Sequence, residues 1–460
     1  MRSLIMMKAN VLFVQLGCSK NKVDGEIMMT NLMNAGFTMV DTEEKSDVII
    51  INTCGFIEAA KEEAISEILN AVSFGKKVVV TGCLAQRYQE EILENFPEVD
   101  AVLGIHELDH IVPAVEKVLA GEKYASFCKT QEKEPNYKDR VLTTPFYYAF
   151  LKIADGCSNG CSYCAIPKIR GKYVSRPMES VVAEAKAMAE QGVTEVIVIA
   201  QDTTRYGMDL YGEKRLVPLL SEIEKIDGIR WIRLHYLYPE AVTEELLCKI
   251  AESKKILPYF DIPIQHCNDR ILKLMNRRTN KKELLNLLHN IKSKMPHATI
   301  RTSLISGFPS ETVEEHEELV AFVKQGYFDR LGVFAYSTEE GTRAARITGK
   351  LKKAEKTRRV NEIMALSSQI SLQKNKQKIG KSYTVLVEGI DTVNHIYFGR
   401  TYMDSPEIDG TVYFEADFPV DIGEYVTVEI TGCDHYDLTG TAKQSYDQGG
   451  NNVSDSSRNP

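Results

Sequence analysis

The sequence predicts an α/β chain of three parts. These are a doubly wound parallel sheet over residues 8–124, an open barrel of six βα units over residues 143–375, and a small antiparallel β-barrel over residues 378–445, with a disordered tail at 446–460. Three observations predict this. Short apolar runs alternate with helix-periodic stretches in two successive series, the pattern of parallel sheets. A polar stretch at 128–140, rich in Lys, Glu, Pro and Asn, divides the two series and reads as a linker. Beyond Gly380 the texture changes to short alternating strands separated by Gly and Asp turns, as in oligonucleotide-binding barrels.

In the first part, residues 11–16, 48–51, 78–80 and 101–103 read as strands, each followed by a helix-like segment. Three of these strands run into a cysteine, at Leu16-Gly17-Cys18, Asn52-Thr53-Cys54 and Thr81-Gly82-Cys83. In a parallel sheet the carboxyl ends of the strands share one edge, where such folds keep their ligands. One free cysteine there would read as a small buried residue. Three at equivalent strand ends read as an iron-sulfur site with one iron left open.

In the central part, residues 146–153, 195–200, 231–238, 259–264, 299–305 and 331–336 read as strands, with helical segments such as 180–191 between them. An active site is expected at their carboxyl ends. The loop after the first strand is Asp155-Gly156-Cys157-Ser158-Asn159-Gly160-Cys161-Ser162-Tyr163-Cys164. Thiols at i, i+4 and i+7 can converge on one iron-sulfur cube and leave its fourth iron free for a small molecule. Structural zinc fits less well, because zinc sites usually pair two close couples and no second couple follows. A disulfide framework fits less well still, since ten cysteines in 460 residues are too sparse for a stapled scaffold. Cys128, Cys248, Cys267 and Cys433 receive no role.

Composition narrows the class. Hydrophobic content of 43% with 26% charged residues is that of a soluble globular chain. No apolar run approaches twenty residues, and the first ten are too short for a signal sequence, so a cytoplasmic protein with reduced thiols is expected. A net charge of −8 argues against binding nucleic acid through overall charge.

The loop of the central part resembles the radical S-adenosylmethionine enzymes, whose signature is C-x3-C-x2-C with an aromatic residue before the last cysteine; Tyr163 fills that position. The resemblance implies that Cys157, Cys161 and Cys164 hold a 4Fe-4S cluster whose open iron binds S-adenosylmethionine. Gln201 and Asp202 after the second strand, and Gly307 after the fifth, are then candidates for contacting that cofactor, although the stretch around Gln201 departs from the Gly-Gly-Glu type turn common in the superfamily. Gly307 has an ordinary turn as its alternative, with Ser310 capping the next helix. His266 reads as a structural residue. Arg170-Gly171-Lys172 and Arg205-Tyr206-Gly207 read as loops able to steer an acidic group or simply be solvated.

Over residues 8 to 443 the whole chain resembles the methylthiotransferases, which join a domain with three spaced cysteines, a radical barrel and a TRAM barrel. Within them it is most similar to those modifying an aspartate of ribosomal protein S-twelve (uS12), on Leu16-Gly17-Cys18-Ser19-Lys20-Asn21, Ile166-Pro167-Lys168-Ile169-Arg170-Gly171-Lys172-Tyr173, Ala200-Gln201-Asp202-Thr203-Thr204-Arg205-Tyr206-Gly207 and Gly399-Arg400-Thr401-Tyr402. The resemblance implies a second 4Fe-4S cluster on Cys18, Cys54 and Cys83, and two cofactors in all, iron-sulfur and S-adenosylmethionine. It implies no catalytic side chain beyond the cluster ligands. Electron and sulfur donors are required, and no motif specifies them; a monomer is expected.

Charge bears on the substrate. Residues 380–443 carry twelve acids against three bases, so this part would repel phosphate and attract a basic protein. The basic stretch 350–378 reads as a solvated connecting helix. Two other readings compete: a transfer-RNA adenosine methylthiotransferase, and a non-enzymatic iron-sulfur module that binds the ribosome.

Overall fold

A computed structural model describes residues 9–128 and 135–443; the tail expected to be disordered lies outside the described residues. The chain divides into two units, one of residues up to 228 with 337–346, the other of 229–336 with the residues from 347 on.

The first unit begins with a six-stranded, all-parallel sheet. Its strands are β1 (Asn10–Gln15), β2 (Thr38–Val40), β3 (Val48–Thr53), β4 (Lys77–Gly82), β5 (Ala101–Leu103) and β6 (Tyr124–Ser126), in the spatial order β2-β1-β3-β4-β5-β6. Two of these strands, β2 and β6, lie at the sheet's edges, and the sequence reading passes over them because they are not fully buried and lack the apolar run that marks the equally short β5. Every residue of β3 is buried, as a central parallel strand covered on both faces requires. Helix Glu58–Ser73 lays Ala64, Ile68 and Ala71 against Ile49, Ile51, Val78 and Val80. Strand order reverses between β1 and β3, the point at which such sheets open a crevice. Registers of Gln15 with Asn52 and Thr53 with Gly82 align the ends of β1, β3 and β4 there.

The same unit holds β7 (Tyr148–Lys152), the short antiparallel pair β8 (Ala154–Asp155) and β9 (Val174–Ser175), and β10 (Glu195–Ile199), which pairs in parallel with β7. Residues 129–134 of the expected linker lie outside the described residues, and the remainder is only partly a linker, because Pro135, Tyr137 and Arg140 are buried. Arg140 is 2% exposed and is ion-paired to Glu26 of helix Ser19–Asn34 and, at 2.9 Å, to Glu184 of helix Met178–Glu190. Thr143 donates to Glu26 from both its N–H and its hydroxyl at 2.8 Å. Polar residues sit in this stretch because they answer buried carboxylates, which the polar composition alone could not reveal.

The second unit carries β11 (Trp231–Leu234), β12 (Ile256–Asp261), β13 (Thr299–Ser306) and β14 (Arg330–Ala335), paired in parallel in that order. Its closed barrel comprises β15 (Ser382–Asp391), β16 (Ile396–Arg400), β17 (Val412–Ala416), β18 (Tyr425–Cys433) and β19 (Leu438–Ala442). Alternate residues Val412, Phe414, Val426, Val428 and Ile430 fill its interior. The fifth strand, β19, is absent from the sequence reading, and its pairing with β17 is parallel, so the barrel is not wholly antiparallel. Helix Lys353–Lys376 is not merely solvated: Arg359, Ile363, Ser371 and Asn375 are buried.

Ser310 does not cap the helix that follows it. Thr312 does, accepting from the Glu315 N–H at 3.3 Å while the Glu315 carboxylate accepts from the Thr312 N–H at 2.9 Å. Threonine followed three residues later by glutamate is a complete capping box, and Ser310 instead sits at φ +66°. Thr312→Ala should destabilise helix Val313–Lys324 by about 1 kcal/mol, read as faster hydrogen exchange in its first turns. Ser310→Gly should leave that exchange unchanged; the reverse result would return the cap to Ser310.

Candidate iron-sulfur sites

The first trio is built by the ends of β1, β3 and β4. Cys18 is the N-cap of helix Ser19–Asn34, Cys54 directly follows β3, and Cys83 opens helix Cys83–Arg87. Asn21 ties the strand ends together, its amide donating to the carbonyls of Leu16 at 2.8 Å, Asn52 at 3.4 Å and Thr53 at 3.3 Å. Two glycines permit the close approach. At Gly17, φ +86°, a Cβ would lie 2.8 Å from Cys54 Cβ; at Gly82, φ +94°, it would lie 2.4 Å from the Thr53 carbonyl.

The three thiols feel one another. Burial pushes the Cys83 thiol up to about 12, with the charges of Cys18 and Cys54 adding to it, and burial likewise raises Cys54. Cys18 reaches solvent but is crowded by protein, which pushes its thiol up; Lys20, Arg170 and the N–H groups of Asn21 and Lys20 outweigh this and hold it below the ordinary value.

The second trio lies on a loop framed by the β8–β9 ladder. The Cys157 N–H donates to the Gly171 carbonyl at 3.1 Å and the Cys164 N–H to the Cys161 carbonyl at 3.2 Å. Cys157 and Cys161 are buried; burial pushes Cys157 up to about 11, and Cys161 adds to the rise. Tyr163 and Cys164 are half-buried. The 337–346 segment closes on this loop, with the Ala344 N–H donating to the Ser162 carbonyl at 2.8 Å and Arg343 donating to the Gly160 carbonyl. Cys83 packs in one cluster with Ile105, Ala165 and Ile169, so a cysteine of the first trio lies against the chain that directly follows Cys164. Among the described residues no three His, Cys, Asp or Glu side chains are grouped tightly enough to chelate a single ion; a cube takes its thiolates one to an iron.

Of the expected cofactor contacts, Gln201 and Asp202 lie beside this loop. Gln201 Nε2 donates to Asp155 Oδ1 at 2.7 Å, while its Oε1 is buried and finds no partner. Asp202 accepts from Asn159 Nδ2 at 2.7 Å, and its carbonyl accepts from the Tyr173 hydroxyl at 2.9 Å. Gly307 belongs to the second unit, at φ +73°, where a Cβ would meet Lys356 Cγ at 2.5 Å. His266 is wholly buried and accepts from the Asn268 N–H at 3.0 Å; burial pushes its pKa down to about 3, as a structural imidazole would have.

Of the residues that hold the two trios together, the sequence reading singles out Arg170 only as part of a loop able to steer an acidic group or be solvated, and gives Asp24, Lys152 and Asp155 no role. Asp155, two positions before Cys157, accepts from the Gly156 N–H at 2.7 Å, from Arg170 at 2.8 Å and from Lys152 at 3.1 Å. Lys152 also pairs with Asp24, and Arg170 reaches Asp24 at 2.8 Å and Asn21 at 3.3 Å. Burial would raise the Asp155 carboxyl, but Arg170 and Lys152 hold it far below the usual carboxylate range. His106, just beyond β5, feels the same four charges, and burial depresses its pKa. The available signal was Asp24 and Lys152, charges at positions that helix and strand periodicity would otherwise fill with apolar residues. In cluster-free protein near neutral pH, iodoacetamide should label Cys18 at least about tenfold faster than Cys83, and raising the pH should narrow the gap. Equal rates in peptide mass spectra would contradict this account of the thiols.

Comparison with known proteins agrees with these assignments of fold. Residues 10–104 match the Uncharacterized protein family UPF0004, residues 151–323 the Radical SAM superfamily, and residues 379–442 the TRAM domain. The radical S-adenosylmethionine methyltransferase TsrM from Kitasatospora setae shares the fold, with a TM-score of 0.52 at 15% identity over 71% of this chain and 73% of that one. The ribosomal protein uS12 methylthiotransferase RimO of Thermoanaerobacter sp. (strain X514) is 46% identical over 435 residues, covering 94% of this chain and 99% of that protein. The protein of the same name from Clostridioides difficile (strain 630) is 47% identical over 430 residues, covering 92% and 97%. Likeness of that degree along nearly the whole of both chains shows that this chain belongs to the RimO family of ribosomal protein uS12 methylthiotransferases.

Proposed function

We propose that this protein, acting in the cytoplasm as a monomer, transfers a methylthio group to the β-carbon of an aspartate in ribosomal protein uS12. Cys157, Cys161 and Cys164 hold one 4Fe-4S cluster, and Cys18, Cys54 and Cys83 hold the other. The observation that carries this reading is the packing of Cys83 against Ala165 and Ile169, which puts the two trios side by side in one unit. When bound, the clusters and S-adenosylmethionine supply radical, sulfur and methyl chemistry that acid–base side chains cannot supply at an unactivated carbon.

The residues present fit that cargo. Six thiols in two trios are the donor set that iron-sulfur cubes take. The orphaned Gln201 Oε1 is a buried acceptor beside the second trio, suited to the ammonium group of S-adenosylmethionine. Asp155 and Asp202 both accept hydrogen bonds from neighbouring side chains. They are spent on the loop, Asp155 fixing its entrance and Asp202 gripping Asn159. Their role is to hold the cysteines in place before anything binds.

The barrel formed by β15 to β19 supports a basic protein as substrate, with a smaller surface charge than its composition implies. Asp404 is buried and ion-paired to Arg330, Asp409 accepts from the Tyr259 hydroxyl at 2.6 Å, and Glu388 pairs with Arg400 at 2.7 Å. Asp391, Glu407, Glu415, Asp417, Asp421, Glu424, Glu429 and Asp434 remain exposed. Glu415 and Glu429 flank Thr441 on neighbouring strands, so part of this charge is concentrated on one outer face. Such a face attracts basic protein and repels phosphate.

The direct test offers anaerobically reconstituted enzyme, S-adenosylmethionine and a reductant to uS12 and to transfer RNA in parallel. A methylthio mass gain on an aspartate-containing uS12 peptide and none on RNA is expected; the opposite pattern refutes the reading. Replacing Cys18, Cys54 and Cys83 together by Ala should preserve reductive cleavage of S-adenosylmethionine while reducing methylthio product to background. Retained product would remove the role given to that trio.

A further inference from the structure

The second unit holds a cavity of about 460 Å³ at the amino ends of β13 and β14, away from the carboxyl ends at which an active site is expected. Its size falls within that of small-molecule sites, about 300–1,000 Å³. Five cations line it: Lys292 of helix Lys281–Lys294, Arg330 at the start of β14, Lys374 and Lys378 around the end of helix Lys353–Lys376, and Lys381 just before β15. Among the described residues Asp329 is the one carboxylate in its wall.

Two of the five are committed to the fold. Lys292 and Lys374 share Asp329, at 3.1 and 2.7 Å, and donate to the carbonyls of Ala298 at 2.6 Å and Phe328 at 2.8 Å. The other three can each bind something more. Arg330 is ion-paired to Asp404 through one terminal nitrogen, but its Nε is buried and finds no partner. Lys378 donates only to a neutral oxygen, Asn375 Oδ1, at 2.9 Å. Lys381 is exposed and has no carboxylate partner among the described residues. The knot formed by Asp24, Lys152, Asp155 and Arg170 matches its cations with carboxylates one for one, whereas here the cations are in excess. That excess is felt: burial and Arg330 push Lys378 down to about 8, and burial, reinforced by Lys292 and Arg330, holds Lys374 below its ordinary value against the pull of Asp329.

An anion in the cavity would supply the missing charge. Three rings share the wall with the cations, His297, Tyr383 and Tyr402. The Tyr402 hydroxyl donates to the His297 carbonyl at 3.0 Å, and the two rings meet edge to face with centroids 6.3 Å apart. Cations that take phosphate oxygens, set beside flat rings, suit a phosphate joined to a flat base. Glu415 and Glu429 of the acidic outer face do not line the cavity. We propose that this cavity binds a nucleotide, its phosphate held by Arg330, Lys378 and Lys381 and its base lying beside His297, Tyr383 and Tyr402.

The probe is uridine monophosphate, titrated calorimetrically into the reconstituted full chain with S-adenosylmethionine present to fill its own site. Saturable binding is expected. Replacing Lys378 and Lys381 together by Gln should weaken it at least about tenfold, since each change removes a charge-assisted hydrogen bond. Lys376→Gln, an equal change per residue at an exposed position outside the cavity, should leave it unaltered. Thermal unfolding of each variant verifies that the fold is kept. A short uridine oligomer that displaces the monophosphate makes an RNA strand the source of the phosphate; one that binds nowhere on the chain makes it a free nucleotide. Absence of binding to the unaltered chain overturns the proposal, and so does equal affinity in the double variant.

Discussion

The structure of the first unit depends on a knot of four charges, Asp24, Lys152 and Arg170, which are buried, and Asp155, which is half-buried. Each comes from a different local element: helix Ser19–Asn34, strand β7, strand β8 and the turn after helix Ile166–Ile169. Burying ions is expensive unless every one is paired and hydrogen-bonded, and removing one partner from such a set costs about 3–5 kcal/mol. The knot therefore tolerates only the arrangement in which all four meet. That arrangement brings the strand ends carrying Cys18, Cys54 and Cys83 against the loop carrying Cys157, Cys161 and Cys164.

The same logic repeats around it. Arg140 joins Glu26 and Glu184 across the unit, and Arg87 reaches Glu339 at 2.7 Å in the 337–346 segment that closes on the cysteine loop. Apolar packing builds the sheets, but hydrophobic contact is not directional, so it does not by itself fix one strand end against one loop. Charge pairs and hydrogen bonds supply that register. In the second unit Arg330 with Asp404 and Arg301 with Asp261 do the same for the barrel and its neighbouring strands.

The parts that were legible in the sequence are those dictated by a residue's own chemistry. The six cysteines stood out because iron takes thiolates and strand ends and a short loop are where three can converge, and the structure packs Cys83 with Ala165, the residue after Cys164. The long strands were readable because parallel strands are nearly unbroken runs of Val, Ile and Leu. What escaped depends on partners far away in sequence. Arg140 looks like linker until Glu26 is placed beside it, and Asp404 and Asp409 look like surface acids until Arg330 and Tyr259 cover them. A buried, paired charge and a solvated one are the same letter. Thr312 was missed for a different reason: Ser310 is also a good cap, and the separating signal was Glu315, which stands three residues after Thr312 where Val313 stands three after Ser310.

Residues that hold one trio thus also brace the other. Asp155 orders the loop and anchors Arg170, which in turn reaches Asp24 and Asn21 of helix Ser19–Asn34, so the side chains that order one trio's loop also brace the helix that Cys18 caps. The central claim is that each trio holds its own cube. Anaerobic reconstitution followed by iron and sulfide analysis and Mössbauer spectroscopy tests it most directly. The account predicts two four-iron clusters per chain; a single cluster, or zinc in place of iron, would contradict it.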